Sequence, residues 1–385
     1  MDYFFNEEQQ AIQEITQQIA EEKIVPVRGE LDETEEFPWE IMKACAQSDL
    51  FGINIPEEYG GLGGGVFESV IAVEELSRGC LGVSVSFAAS GLGCYPILLY
   101  GTDEQKEHYL PILASGEKLA AFGLTEADAG SDAGGVRTTA VKDGDSYVLN
   151  GTKQWITNGG EAEIYTIIAI TNKKKGARGA SAFIVEKGAE GFSFGKKEKK
   201  MGIRCSTTRE LVFEDCRIPA ENLIGREGLG FIVAMKTLDM SRPGISAQGV
   251  GVSQAALDVA VNYARERVQF GKPIISFQAV QHMLSDMATG TEAARAFTYA
   301  VARFIDTGAK DISKLSAMVK VFGSDIAMKN TVDAVQVMGG YGYMREYPLE
   351  KMMRDAKILQ IYEGTNQIQR NVIGAALIKE YAKKK

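Results

Sequence analysis

Near the start of the chain apolar residues recur at spacings of three to five, at Ile12, Ile15, Ile19 and Ile24, with Glu7 and Glu8 ahead of them and Pro26 behind. That spacing lays one apolar stripe along a helix, and the acidic first turn complements the helix dipole. Similar patterns predict helices over 38–50, 67–78 and 83–99, and another opening at Thr102, where Gln105 completes a capping box. The glycine-rich stretch 57–65 between them is a loop that follows no strand and does not fit GxGxxG, so it is no dinucleotide-binding fingerprint.

After residue 120 the texture changes. Short β-branched runs at 146–149, 164–171, 180–185 and 210–213 predict strands, and Asn150-Gly151 predicts a hairpin turn. Strands this closely spaced leave no room for βαβ crossovers, which makes the segment an antiparallel, barrel-like β-domain of roughly 100 residues. From Gly228 the helical period returns over 229–267, 277–307 and 311–338 and once more after Tyr347, broken only by Gly271-Lys272-Pro273 and Gly339-Gly340-Tyr341-Gly342. Long amphipathic helices with short links predict a four-helix bundle. The expected fold is mainly α with a central β-domain: a helical domain over 1–120, the β-domain over 121–227 and the bundle over 228–385.

Composition narrows the function classes. With 385 residues the chain needs two or three domains, and 45% apolar with 24% charged residues is ordinary for a soluble enzyme. A net charge of −9 gives no nucleic-acid footprint, and the short basic runs at 173–175 and 196–200 read as solvated turns. Five cysteines without CxxC spacing and only two histidines, His108 and His282, argue against a metal site, a disulfide framework and a Ser/His triad. The N-terminus lacks a signal-like pattern and no run of about 18 apolar residues occurs, so the expectation is a cytoplasmic protein without a membrane span.

The candidate chemistry centres on Tyr362-Glu363-Gly364-Thr365. A lone Glu on a helix is ordinarily a solvated surface charge. Two distant segments change that reading: Gly123-Leu124-Thr125-Glu126-Ala127-Asp128-Ala129-Gly130-Ser131-Asp132-Ala133-Gly134-Gly135, and Gln336-Val337-Met338-Gly339-Gly340-Tyr341-Gly342-Tyr343 followed by Glu346, Lys351 and Asp355. In this order, around a β-domain, they closely resemble the acyl-CoA dehydrogenase family of flavoenzymes over essentially the whole chain.

The resemblance implies FAD as cofactor. It places Leu124, Thr125, Gly130, Ser131, Trp155 and Thr157 at the flavin, and Arg267, Phe270, Gln278, Gln336, Gly339, Gly340, Thr365 and Gln367 at FAD shared with a neighbouring subunit of a homotetramer. Taken alone, Trp155 also suits a plug of the β-core, and Arg267 an ordinary helix C-terminus. Glu363 matches the base that removes the pro-R α-proton of an acyl-CoA thioester while a β-hydride leaves to flavin N5. Its backbone N–H and the ribityl 2′-hydroxyl would hold the thioester oxygen. Ser131, Asp239, Arg242, Tyr362 and Gly364 match substrate contacts, although Asp239 and Arg242 also fit a plain helical ion pair. One branch of the family carries its base where this chain has Ser241, which cannot serve, and this leaves Glu363.

The acyl pocket is expected along 84–96, where Ala88, Ala89 and Gly91 widen it and Phe87 and Tyr95 shorten it, for a short to medium, branched or alicyclic chain. An electron-transferring flavoprotein is the implied acceptor, in fatty-acid β-oxidation. The competing readings are an enoyl-CoA reductase using the same site in reverse and a non-catalytic CoA- and flavin-binding protein.

Overall fold

Six helices form the first layer of this computed structural model, which describes residues 3–382. They are α1 (Glu7–Ile19), α2 (Arg28–Thr34), α3 (Trp39–Gln47), α4 (Val66–Gly79), α5 (Leu81–Tyr100) and α6 (Asp103–Ala114). Asn6 caps α1 and Thr102 caps α6, each through a reciprocal pair of bonds with the Gln three residues on. Ile12 and Ile19 of α1 face the core, whereas Ile15 lies on the solvent side. By length and composition α5 is apolar enough to cross a membrane, a property the sequence reading missed; here it is a core helix packed on α4 and α6.

The middle of the chain is one eight-stranded sheet. Its strands are β1 (Ala120–Gly123), β2 (Thr139–Asp143), β3 (Ser146–Thr157), β4 (Ile164–Ile170), β5 (Ala180–Glu186), β6 (Phe192–Phe194), β7 (Thr208–Pro219) and β8 (Leu223–Ile224). The order is β6-β7-β3-β2-β4-β5-β8, with β1 added alongside β4. All pairs are antiparallel except β1 and β2 against β4, so the sheet is mixed where an antiparallel one was expected. The long stretch between β1 and β4 supplies the connection a parallel pair requires.

The turn expected at Asn150-Gly151 is instead a bulge inside β3, and the hairpin turns at Gly144, which has φ 61°. Asn150 closes the bulge by exchanging two bonds with Asp215 on β7, at 2.8 and 3.0 Å. A Cβ on Gly151 would lie 2.6 Å from Thr138 Oγ1, so glycine is needed here for close approach rather than for a turn.

The C-terminal part contains α7 (Gly230–Glu266), α8 (Gln278–Asp306), α9 (Ser313–Met338), α10 (Leu349–Ala356) and α11 (Asn366–Ala382). The α7 helix runs unbroken through Pro243. Proline has no N–H for the carbonyl four residues back. That carbonyl, on Asp239, instead accepts a 2.6 Å bond from the Ser316 hydroxyl of α9. Ser316→Ala is therefore expected to strand a buried carbonyl, cost about 1–3 kcal/mol, and lower the thermal unfolding midpoint. The single last helix expected after Tyr347 is in fact two, and the break between α10 and α11 carries Glu363.

Candidate active site

Glu363 occupies a loop, not a helix, with φ 52°, and Gly364 follows with φ 93°. A left-handed backbone costs a non-glycine residue roughly 1–2 kcal/mol, so the surroundings must hold it. The Glu363 carbonyl accepts from Arg242 Nε (3.3 Å) and Gln369 Nε2 (3.1 Å). The Gly364 carbonyl accepts from Lys320 Nζ (2.8 Å) and Gln369 Nε2 (3.3 Å). The Tyr362 hydroxyl is tied to Gln248 of α7. A Cβ on Gly364 would fall 2.2 Å from Gln369 Nε2, which accounts for glycine there.

The Glu363 side chain points at α7, where the Ser241 hydroxyl donates to Oε2 at 2.6 Å. Burial raises its pKa; the Ser241 bond and the charges of Arg242 and Lys320 oppose this without overcoming it, so the net direction is up. Oε1 has no hydrogen-bond partner among the described residues, and neither does the Glu363 backbone N–H.

This carboxylate opens on a cavity of about 470 Å³. Leu124, Thr125, Gly130, Ser131, Trp155, Thr157, Arg242, Tyr362 and Gly364 line it, so the structure gathers these predicted residues around Glu363. Trp155 is no plug of the β-core: φ 57° at a register shift in β3 turns its indole outward, 58% exposed. Glu363 also borders a smaller pocket of about 70 Å³, walled by Val70, Val73, Phe87, Tyr95 and Met240. At one side of that pocket Asn54 Nδ2 donates to the Tyr95 hydroxyl at 2.9 Å.

The loop after β1 is organised by a buried ion pair. Glu126 accepts from Lys153 Nζ (2.7 Å), Arg137 N (2.6 Å) and Thr138 N (2.9 Å), and Lys153 donates also to the Leu124 carbonyl (3.0 Å). Burial raises the Glu126 pKa, but the charge and bonds around it more than offset this, and the net direction is down. Lys153 is fully buried, and burial pushes it down to about 8 despite its partner.

Other predicted residues lie elsewhere. Arg267, Gly339 and Gly340 line a separate cleft of about 420 Å³ with Tyr263 and Tyr341. Phe270 is 93% exposed, and Gln278 and Gln336 are exposed. Thr365 and Gln367 border a third cleft with Asn366 and Arg370. Asp239 is buried outside the cavity lining, accepting from Arg242 Nη1 at 2.8 Å and from the Ser313 hydroxyl. Its place is behind Arg242, because an unpaired guanidinium in the core would be costly.

Sequence reading passed over Ser241 as a donor, the Glu126–Lys153 pair, Lys320 and Gln369. Two of them carried a signal. Lys153 continues the inward alternation of Tyr147, Leu149 and Gly151 along β3, and Lys320 falls four residues from both Ser316 and Ser324 on the buried face of α9.

Comparison with known proteins places the whole chain among acyl-CoA dehydrogenases. Family models described as acyl-CoA dehydrogenase N-terminal, middle and C-terminal domains match residues 6–117, 121–216 and 228–378. An acryloyl-CoA reductase (NADH) of Anaerotignum propionicum is 49% identical over 98% of this chain and 96% of its own. The butyryl-CoA dehydrogenase structure from Megasphaera elsdenii superposes with a TM-score of 0.96 at 46% identity, covering 98% of this chain and all of that one. A chain solved in work on the electron transferring flavoprotein of Acidaminococcus fermentans and flavin-based electron bifurcation gives 0.96 at 49% identity, over 98% and 99% of the two chains.

Proposed function

The chain belongs to the FAD-dependent acyl-CoA dehydrogenase family, and from this we propose that it converts a short-chain acyl-CoA thioester to the trans-2-enoyl-CoA, with Glu363 as the base for the α-proton. The observation that carries this reading is the Glu363 carboxylate itself: raised in pKa, fixed through Oε2 by Ser241, and bordering two adjoining cavities. A fixed carboxylate with one free oxygen can accept the proton of a thioester Cα–H, becoming the neutral acid.

The residues present fit FAD. Trp155 offers an exposed flat face, beside the hydroxyls of Thr125 and Thr157 and the small residues Gly130, Ala133 and Gly134, which let a polar-edged ring approach closely. When bound, FAD supplies the two-electron acceptor for the β-hydrogen. The Glu363 N–H, without a partner among the described residues, would donate to the thioester oxygen, where negative charge develops as the α-proton leaves. Ser131, Arg242, Tyr362 and Gly364 bound the path of the thioester, and its entry excludes water from Glu363 and strengthens the base.

The 70 Å³ pocket beside Glu363 leaves space for only a few acyl carbons, and we take it as the acyl end. Trimming Tyr95→Ala is then expected to shift kcat/KM toward longer chains by roughly fourfold per added methylene, about 0.8 kcal/mol each. An acyl-CoA panel reads this directly; an unchanged profile places the acyl end elsewhere.

The separate clefts holding Arg267, Gly339 and Gly340, and Thr365 and Gln367, together with the protruding Phe270, support FAD contacts contributed across subunits of a homotetramer. Flavin loss on dilution should then track dissociation, as gel filtration with absorbance detection would record. The Acidaminococcus relative supports an electron-transferring flavoprotein as redox partner, and the acryloyl-CoA reductase relative supports the enoyl-reducing direction as the second reading. Assaying both directions with purified flavoprotein distinguishes them.

A further inference from the structure

We propose that Lys320 is a positioning residue for the base, its ammonium on α9 holding the turn that follows Glu363 and setting the charge beneath that carboxylate. This rests on Glu363 being the base. Lys320 is fully buried. Its Nζ donates to the Gly364 carbonyl and to Asn366 Oδ1, both at 2.8 Å, and forms no ion pair among the described residues. Asn366 is itself fixed, with Nδ2 donating to Ser324 Oγ (2.9 Å) and Asp325 Oδ1 (2.8 Å), so its carbonyl oxygen is turned onto Lys320.

Packing alone does not account for a lysine here. A methionine would fill the volume without taking an ammonium out of water into a site with only neutral acceptors. What the ammonium adds is charge beside the catalytic loop. Burial pushes Lys320 down to about 7, Glu363 and Asp325 oppose that, and Arg242 and Arg370 reinforce it. Around Glu363 the facing groups are Ser241 and Arg242 from α7, Lys320 from α9, and the Tyr362 and Tyr95 phenols. Ser241 contributes a bond through its hydroxyl, whereas Lys320 and Arg242 contribute charge. Only Lys320 joins that charge to a bond on Gly364, the residue whose conformation aims the loop.

The charge and the bond are separable. Lys320→Gln keeps an N–H donor of similar reach without charge, and Lys320→Met removes both. In each the titration of Glu363 should move up by about one pH unit, read on the flavin-loaded protein by infrared difference spectra of the carboxyl stretch against Glu363→Gln. The acid limb of kcat/KM should move with it, giving about tenfold lower turnover below the limb. In Lys320→Met kcat should fall more than KM rises, because the loop loses its anchor, and Lys320→Gln should recover part of kcat but not the titration point. A Glu363 titration unmoved in Lys320→Gln overturns the proposal. Failure of the base reading appears separately, as turnover persisting in Glu363→Gln.

Discussion

Glu363→Gln is expected to keep its flavin and bind acyl-CoA, yet lose roughly 10²–10⁴-fold in turnover, the usual contribution of a positioned general base. The amide nearly matches the carboxylate in shape, and its oxygen can still accept from Ser241, so the left-handed turn held by Arg242, Gln369 and Lys320 should persist. What disappears is the ability to take a proton from Cα. Anaerobic addition of acyl-CoA should therefore fail to bleach the flavin on the wild-type timescale; near-normal bleaching would rule Glu363 out. The pH dependence has a definite sign. A base must be ionised, and burial lifts this carboxyl above its ordinary value, so activity should rise with pH through a limb above the usual carboxylate range. Ser241→Ala removes a bond that favours the charged form, and its limb should lie at higher pH still.

The helical period and the capping box of α6 were readable because they are local: Thr102 and Gln105 meet within one turn. Asn150-Gly151 misled because the same pair satisfies two demands, a tight turn or a bulge closed by the Asn side chain, and the partner that decides, Asp215, is 65 residues away. The break before α11 was hidden because Glu363, Gly364 and Thr365 do not interrupt an apolar period strongly enough to forbid a helix. Glu363 was found through resemblance and then carried physically by its surroundings. Lys153 and Lys320 were passed over, despite their place on buried faces, for a different reason: lysine is almost never fully buried unless paired. Their acceptors, Glu126 for one and Gly364 and Asn366 for the other, lie 27 to 46 residues off.

The Glu126–Lys153 pair gives the second large effect. Glu126→Ala leaves the Lys153 ammonium in a site with no exposure and only the Leu124 carbonyl to meet it. It also releases the Arg137 and Thr138 amides that close the loop carrying Leu124, Thr125, Gly130 and Ser131. Breaking one side of a buried pair typically costs about 3–5 kcal/mol, enough here to lower the unfolding midpoint sharply and release flavin on gel filtration. Lys153→Met should be less damaging than Glu126→Ala, since Glu126 keeps its two loop amides and can protonate. The double variant Glu126→Gln/Lys153→Met should recover much of the loss, because no buried charge remains and the Gln oxygen can still accept from the loop. The acid side follows from linkage: a carboxyl depressed in the folded state stabilises above its unfolded pKa, and that contribution is lost as pH falls through the folded value. Wild type should thus lose flavin and midpoint together on acidification, and the double variant should lose less of both. If Glu126→Ala unfolds at the wild-type midpoint with its flavin bound, the pair does not hold the loop, and the order of the proposed flavin wall must come from the strand register around Trp155 alone.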